Sequence, residues 1–191
     1  MSWVEWAGFI TGAVCVILVV REHIANFPVG IANNVFFAVL FVQAGLYADA
    51  GLQGVFLVLG LQGWWLWLHG GRDRGPLVIR PLSAQEWQRV AVGVVAATGA
   101  LTWALMSWTD STVPFWDALT TALSLGAQWL LNRKHTATWY LWITADVLYI
   151  GLYFHKDLRL TAVLYAGFLG LCLLGLRQWR AAERKQLVLA A

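Results

Sequence analysis

Residues 138–154, TWYLWITADVLYIGLYF, are long and apolar enough to cross a bilayer as one helix, yet Asp146 stands at the centre. A charge at mid-helix costs about 2.5–3.5 kcal/mol on insertion scales and persists where it faces protein or water. Trp142, Asp146, Tyr149 and Tyr153 follow one another at i, i+4, i+7 and i+11, so they share one helix face. An aromatic face beside a carboxylate attracts a flat organic cation through charge and cation–π attraction. The chemistry expected is recognition of a ring-bearing solute, weighed against a plain hydrogen bond between helices or an aspartate protonated at neutral pH.

A second stripe with the same spacing, Asp117, Thr121, Ser124 and Gln128, lies upstream. Hydroxyls in membrane helices commonly join neighbouring helices, so Thr121 and Ser124 are read as structural. Gln128 is costlier to bury and is read as a ligand. Asn33, Asn34, Gln43, Gln53 and Gln62 add amides in the first half. Amides, hydroxyls and aromatics suit a neutral or singly charged, hydroxylated solute. A phosphorylated one is disfavoured, because no Arg or Lys lies well inside an apolar run.

The composition decides what must position these groups. Of 191 residues, 60% are hydrophobic and 12% charged, with 13 tryptophans, and the mean hydropathy is +0.64. A soluble domain carries charge on about a quarter of its residues, so an integral all-α membrane protein is expected. Membrane spans are placed near 3–20, 27–43, 50–69, 88–108, 113–131, 138–154 and 160–178. Long apolar runs without period-two alternation argue against a strand barrel. The opening MSWVEWAGF lacks a positive n-region, so the first run is read as a retained helix rather than a cleaved signal. Placing the N-terminus outside puts eleven Lys and Arg on the inner side and two, Lys156 and Arg159, on the outer. The N-terminus is therefore expected outside and the C-terminus inside.

The basic residues punctuate hydrophobic runs rather than form a patch, so no nucleic-acid partner is expected despite a pI of about 9.1. Cys15 and Cys172 lie in separate apolar runs and read as free thiols. His23, His69, His135 and His155 sit at expected helix ends without metal-ligand spacing. Glu5 and Asp117 stand near the outer face with no nucleophile or third ligand. An intramembrane enzyme, a metal site and a cofactor are accordingly not expected. Trp3, Trp64, Trp65, Trp67, Trp87, Trp108, Trp116 and Trp179, all near helix ends, are assigned to interfacial belts.

An offset of 112 superimposes residues 25–67 on 137–179. Many of the matched pairs are aliphatic and carry little weight, but Gly63 meets Gly175 and Trp67 meets Trp179 at the same spacing. Asn34 falls on Asp146, and Gly30 on Trp142. Two triplets of helices share one orientation only if an extra helix intervenes, and the run 88–108 has no counterpart. The expected organisation is a first repeat over 1–69, an inner loop and inversion helix over 70–112, a second repeat over 113–179 and a tail over 180–191. Such parallel repeats place a solute site at their interface near the midplane.

The stretches NFPVGIANNVFFAVLFVQAGLYADAGLQ and AQWLLNRKHTATWYLWITADVLYIGLYFHKDLRLTAVLYAGFLGLCLLGLRQW resemble the two repeat signatures of the Pnu family of vitamin and nucleoside transporters. The resemblance covers most of residues 1–180 and is thin over 88–108. It implies a SWEET-like 3+1+3 fold in a bacterial cytoplasmic membrane, working as a facilitator whose cargo is trapped by a cytosolic kinase. Cargo in that family includes nicotinamide riboside, deoxynucleosides, riboflavin and thiamine, and the resemblance implies a homo-oligomer, a trimer. It carries Asn34, Gln53, Trp139, Trp142 and Asp146 over as substrate contacts; Gln128 and Tyr149 join them on the reading of the stripes. Charge favours nicotinamide riboside, whose pyridinium ring is a flat cation, although thiamine is a cation too.

Overall fold

A computed structural model describes residues 3–43, 47–70, 75, 77–109, 111–155, 157 and 159–190. Within these lie seven helices: α1 (Trp3–Val20), α2 (Asn26–Gln43), α3 (Tyr47–His69), α4 (Ala84–Trp108), α5 (Pro114–Asn132), α6 (Thr138–His155) and α7 (Arg159–Ala190). Four of them, α2, α3 over Asp49–His69, α4, and α7 over Arg159–Gln186, are long and apolar enough to cross a membrane. α1 offers a shorter apolar stretch, Trp6–Val20. Large apolar side chains stand exposed along the outer faces, among them Val58, Val92, Val95, Trp103 and Met106. Exposed apolar surface on this scale is what a lipid-facing bundle presents.

The offset of 112 reappears in the backbone. α2 begins and ends 112 residues before α6, and α3 begins 112 residues before α7. α1 and α5 end in the same way. The amides of Glu22 and His23 donate to Val19 and Leu18, at 2.9 and 2.8 Å, while those of Lys134 and His135 donate to Leu131 and Leu130, at 2.9 and 3.0 Å. This is the Schellman pattern, whose left-handed position glycine usually fills. Here Glu22 and Lys134 fill it, with φ of 52° and 54°. Helix contacts follow the same rule: α1 packs on α2 as α5 does on α6, and α2 on α3 as α6 on α7. Crosswise, α1 meets α7 as α5 meets α3, and α4 packs on α5.

The glycine and tryptophan pairs have a common cause. Phe27 and Trp139, also 112 apart, each lay a ring over a glycine of the following helix. A Cβ at Gly63 would collide with Phe27 and with the Asn132 carboxamide, and one at Gly175 would collide with the Trp139 ring. One turn further on, Trp67 meets Phe27 edge-on at 5.1 Å and Trp179 meets Trp139 edge-on at 5.5 Å. Each indole then crosses between the halves: Trp67 Nε1 donates to Leu131 O at 3.3 Å, and Trp179 Nε1 donates to Val19 O at 3.2 Å. Trp67 and Trp179 are therefore not belt residues. Trp179 is 1% exposed, and both rings pack into the apolar cluster of Val19, Val20, Ile79, Leu131 and Trp139. Position near a helix end shows depth but not facing, and these two face inward. Trp65, Trp87, Trp108 and Trp116 do stand exposed, whereas the side chain of Trp3 lies outside the described residues.

Two boundaries also differ from the expected spans. α4 starts at Ala84 because Ser83 forms a capping box: its hydroxyl accepts from Glu86 N, and the Glu86 carboxylate accepts from Ser83 N at 2.9 Å. α7 runs through the expected tail to Ala190. Its extension is held from the side, since Thr136 donates to Glu183 and Arg180 donates to the Tyr140 hydroxyl. Arg72, Arg74 and Lys156, used in reading orientation, lie outside the described residues.

Candidate solute-binding site

The seven residues singled out from the sequence come together. Asn34 from α2, Gln53 from α3, Gln128 from α5, and Trp139, Trp142, Asp146 and Tyr149 from α6 all line one cavity of about 380 Å³. The offset pairs meet across it: Asn34 and Asp146, Gly30 and Trp142, Val16 and Gln128, Val19 and Leu131. The cavity thus lies where the two like halves face each other.

Asp146 is buried, 6% exposed, and accepts a hydrogen bond from the Cys172 thiol on α7 at 3.3 Å. Among the described residues no Lys or Arg joins it on the cavity wall. Trp142 and Trp139, three residues apart, give the wall two indoles. Trp139 is 1% exposed and its Nε1–H finds no acceptor among the described residues. Tyr149 belongs to an aromatic column, 5.9 Å from Tyr153 and 5.0 Å from Tyr165. Tyr165 continues to Phe168 at 5.8 Å, and Phe168 meets Phe9 at 5.1 Å. Tyr153 stands in this column and not on the cavity wall.

The amides differ in how far they are committed. Asn33 on the wall donates to the Thr11 hydroxyl. Gln128 donates to Asn132 Oδ1 at 2.9 Å, and Asn132 donates to Leu59 O on α3 at 2.7 Å. Ser124, read as structural, donates to Thr120 O at 2.8 Å and lines the cavity as well. Asp117 accepts from the Ser111 hydroxyl at 2.7 Å; the Glu5 side chain lies outside the described residues. Among the described residues no three His, Cys, Asp or Glu gather closely enough to hold a metal.

Sequence reasoning missed part of the wall. Tyr165 and Phe168 were not singled out, yet they are the offset partners of Gln53 and Phe56, which line it too. The repeat was the signal that would have found them. Cys15 and Cys172 were read only as free thiols, and both border the cavity.

Comparison with known proteins agrees with this architecture. The family described as nicotinamide mononucleotide transporter matches residues 2–181. The chain belongs to that family. It is a multi-pass membrane transporter, as the family's members are. Its relatives include the nicotinamide riboside transporter PnuC of Escherichia coli K12, 28% identical across 97% of this chain and 88% of that protein. The PnuC of Haemophilus influenzae is 26% identical across 93% and 79%. The riboflavin/roseoflavin transporter RibM of Streptomyces davaonensis is 25% identical across 96% and 87%. A crystal structure of the vitamin B3 transporter PnuC has the same fold, with a TM-score of 0.74 at 23% identity, covering 96% of this chain and 83% of that one.

Proposed function

We propose that this nicotinamide mononucleotide transporter family member imports nicotinamide riboside, or a closely related vitamin or nucleoside, by facilitated diffusion. The observation that carries the reading is the buried Asp146 beside Trp142 and Tyr149 on the wall of a cavity. A pyridinium ring supplies the positive charge and the flat face that this corner accommodates. The Trp139 indole N–H, Asn34, Gln53 and Gln128 supply donors and acceptors for a carboxamide and a ribose. The absence of Lys and Arg from the described wall favours the riboside over its phosphorylated mononucleotide. Three of the similar proteins named above bear transporter names for unphosphorylated cargo.

All seven helices are taken as spans in a SWEET-like 3+1+3 arrangement, with α4 as the inversion helix. The N-terminus lies outside and the C-terminus inside a bacterial cytoplasmic membrane. The assembly is a homo-oligomer, a trimer by family resemblance, and a cytosolic kinase traps the cargo by phosphorylation.

A second reading, transport of riboflavin, is favoured by the likeness to RibM and by the aromatic column at Tyr149, Tyr153 and Tyr165. Uptake into liposomes holding only this protein tests both. Labelled nicotinamide riboside should equilibrate across the membrane, and unlabelled riboside should compete with it. Preference for riboflavin or thiamine would replace the cargo, and accumulation above equilibrium under an imposed pH gradient would refute facilitation.

A further inference from the structure

We infer that Asn132 is a positioning residue: it turns the Gln128 carboxamide so that its Oε1 presents an acceptor to a donor group of the solute. The inference rests on the reading of the cavity as the solute site and adds to it the polarity of one contact.

A carboxamide has two ends of nearly the same shape and opposite hydrogen-bonding character, so its neighbours decide which end does what. Here the decision starts from a group that has no choice. Leu59 O is a backbone carbonyl and accepts only. The end of Asn132 that lies 2.7 Å from it is therefore the NH₂. The other end of Asn132 is then Oδ1, and the end of Gln128 that lies 2.9 Å from Oδ1 must be an NH₂. Gln128 keeps Oε1, for which no donor appears among the described residues. Reversing Asn132 would set two acceptors face to face at Leu59. Reversing Gln128 alone would do the same at Asn132.

The relay is built into the packing. Asn132 is 0% exposed, so water does not substitute for either partner. It reaches the α3 backbone because residue 63 is glycine; a Cβ there would collide with the carboxamide. The other half has no such relay, since the offset counterparts of Gln128 and Asn132 are Val16 and Val20. The acceptor therefore belongs to one side of the cavity only.

The test measures binding of nicotinamide riboside to the full chain in lipid, alongside its 2′-deoxy, 3′-deoxy and 5′-deoxy forms and its N,N-dimethyl carboxamide. If wild type ignores nicotinamide riboside and binds riboflavin, the proposed cargo falls, and the same test runs on riboflavin and its deoxy forms. With either ligand, removing one donor should weaken wild-type binding by about three- to tenfold. In Gln128→Met that discrimination should vanish. In Asn132→Leu, which removes the acceptor that holds the Gln128 NH₂, it should shrink to the Gln128→Met level, and Asn132→Leu with Gln128→Met should lose nothing more. Asn132→Asp, whose carboxyl oxygen still accepts from the Gln128 NH₂, should keep it. If Asn132 were only structural, Asn132→Leu would lower thermal stability and leave the discrimination intact, which would overturn the proposal. Should neither Asn132 variant fold, Gln128→Met decides alone: discrimination that survives in it overturns the proposal.

Discussion

Glu22 and Lys134 occupy equivalent places in the two halves, share the left-handed backbone conformation, and bind each other at 3.0 Å. A non-glycine residue in that conformation costs roughly 1–2 kcal/mol. The pair offsets part of this cost across the junction of the halves, and Lys134 Nζ also lies 4.5 Å above the Trp67 ring. Neither side chain is fully buried, so the ion pair itself is worth about 1 kcal/mol or less. Glu22→Gln and Lys134→Met should each destabilise the purified protein modestly. The exchanged double variant, Glu22→Lys with Lys134→Glu, should recover most of the loss. Additive losses in thermal unfolding would show that the contact does no work.

The glycines under Phe27 and Trp139 admit no larger residue. Gly63→Ala and Gly175→Ala should each cost about 1–3 kcal/mol by overpacking. Gly170→Ala, where a Cβ meets nothing within 4 Å, is the control and should be neutral or slightly stabilising. Unfolding temperatures of the three variants in one detergent settle the comparison.

Replacing Asp146 with asparagine keeps its shape and removes its charge. Binding of the nicotinamide riboside cation should weaken about ten- to hundredfold, the range for a hydrogen bond or contact to a charged group. Binding of neutral riboflavin, where measurable, should change little. Calorimetry on folded Asp146→Asn decides, and equal riboside affinity in variant and wild type would sink charge recognition.

His135 lies in the joint between α5 and α6, 1% exposed. Burial first, and the nearby Arg80 guanidinium second, hold its imidazole below the ordinary histidine range. The folded protein keeps it neutral, whereas the unfolded chain takes up a proton near about pH 6.5. Its contribution to stability is therefore fully present above that pH and is lost as pH falls through the lower folded value. The unfolding temperature should drop as the medium is acidified from about pH 7 to 5, and His135→Gln should flatten part of that slope. An unchanged slope in the variant would assign the acid sensitivity elsewhere.

Much of this was legible from residue spacing. Trp142, Asp146 and Tyr149 of the α6 stripe do lie on the cavity wall, as do the Asn34 and Gly30 that the offset of 112 paired with Asp146 and Trp142. What escaped has a common cause: a single chain shows how deep a side chain sits, but not which neighbour it faces. Trp67 and Trp179 were assigned to the lipid interface by depth and in fact lock the halves together. Asn132 fell just past the expected span 113–131, because nothing in the sequence reveals that Gly63 opens a slot for it. The helical end of α7 was hidden by its charges, which resemble a solvated tail until Thr136 and Tyr140 come alongside.

The unlike residues at matching places, glycine opposite tryptophan and asparagine opposite aspartate, have one more consequence. A cavity on a true two-fold axis would offer every lopsided molecule two equal ways of lying in it, head first or tail first. The unlike residues at Gly30 and Trp142, and at Asn34 and Asp146, break that tie. For the proposed cargo, the Asp146 and indole corner would take one end and the amide side the other, so each molecule would cross in a single attitude.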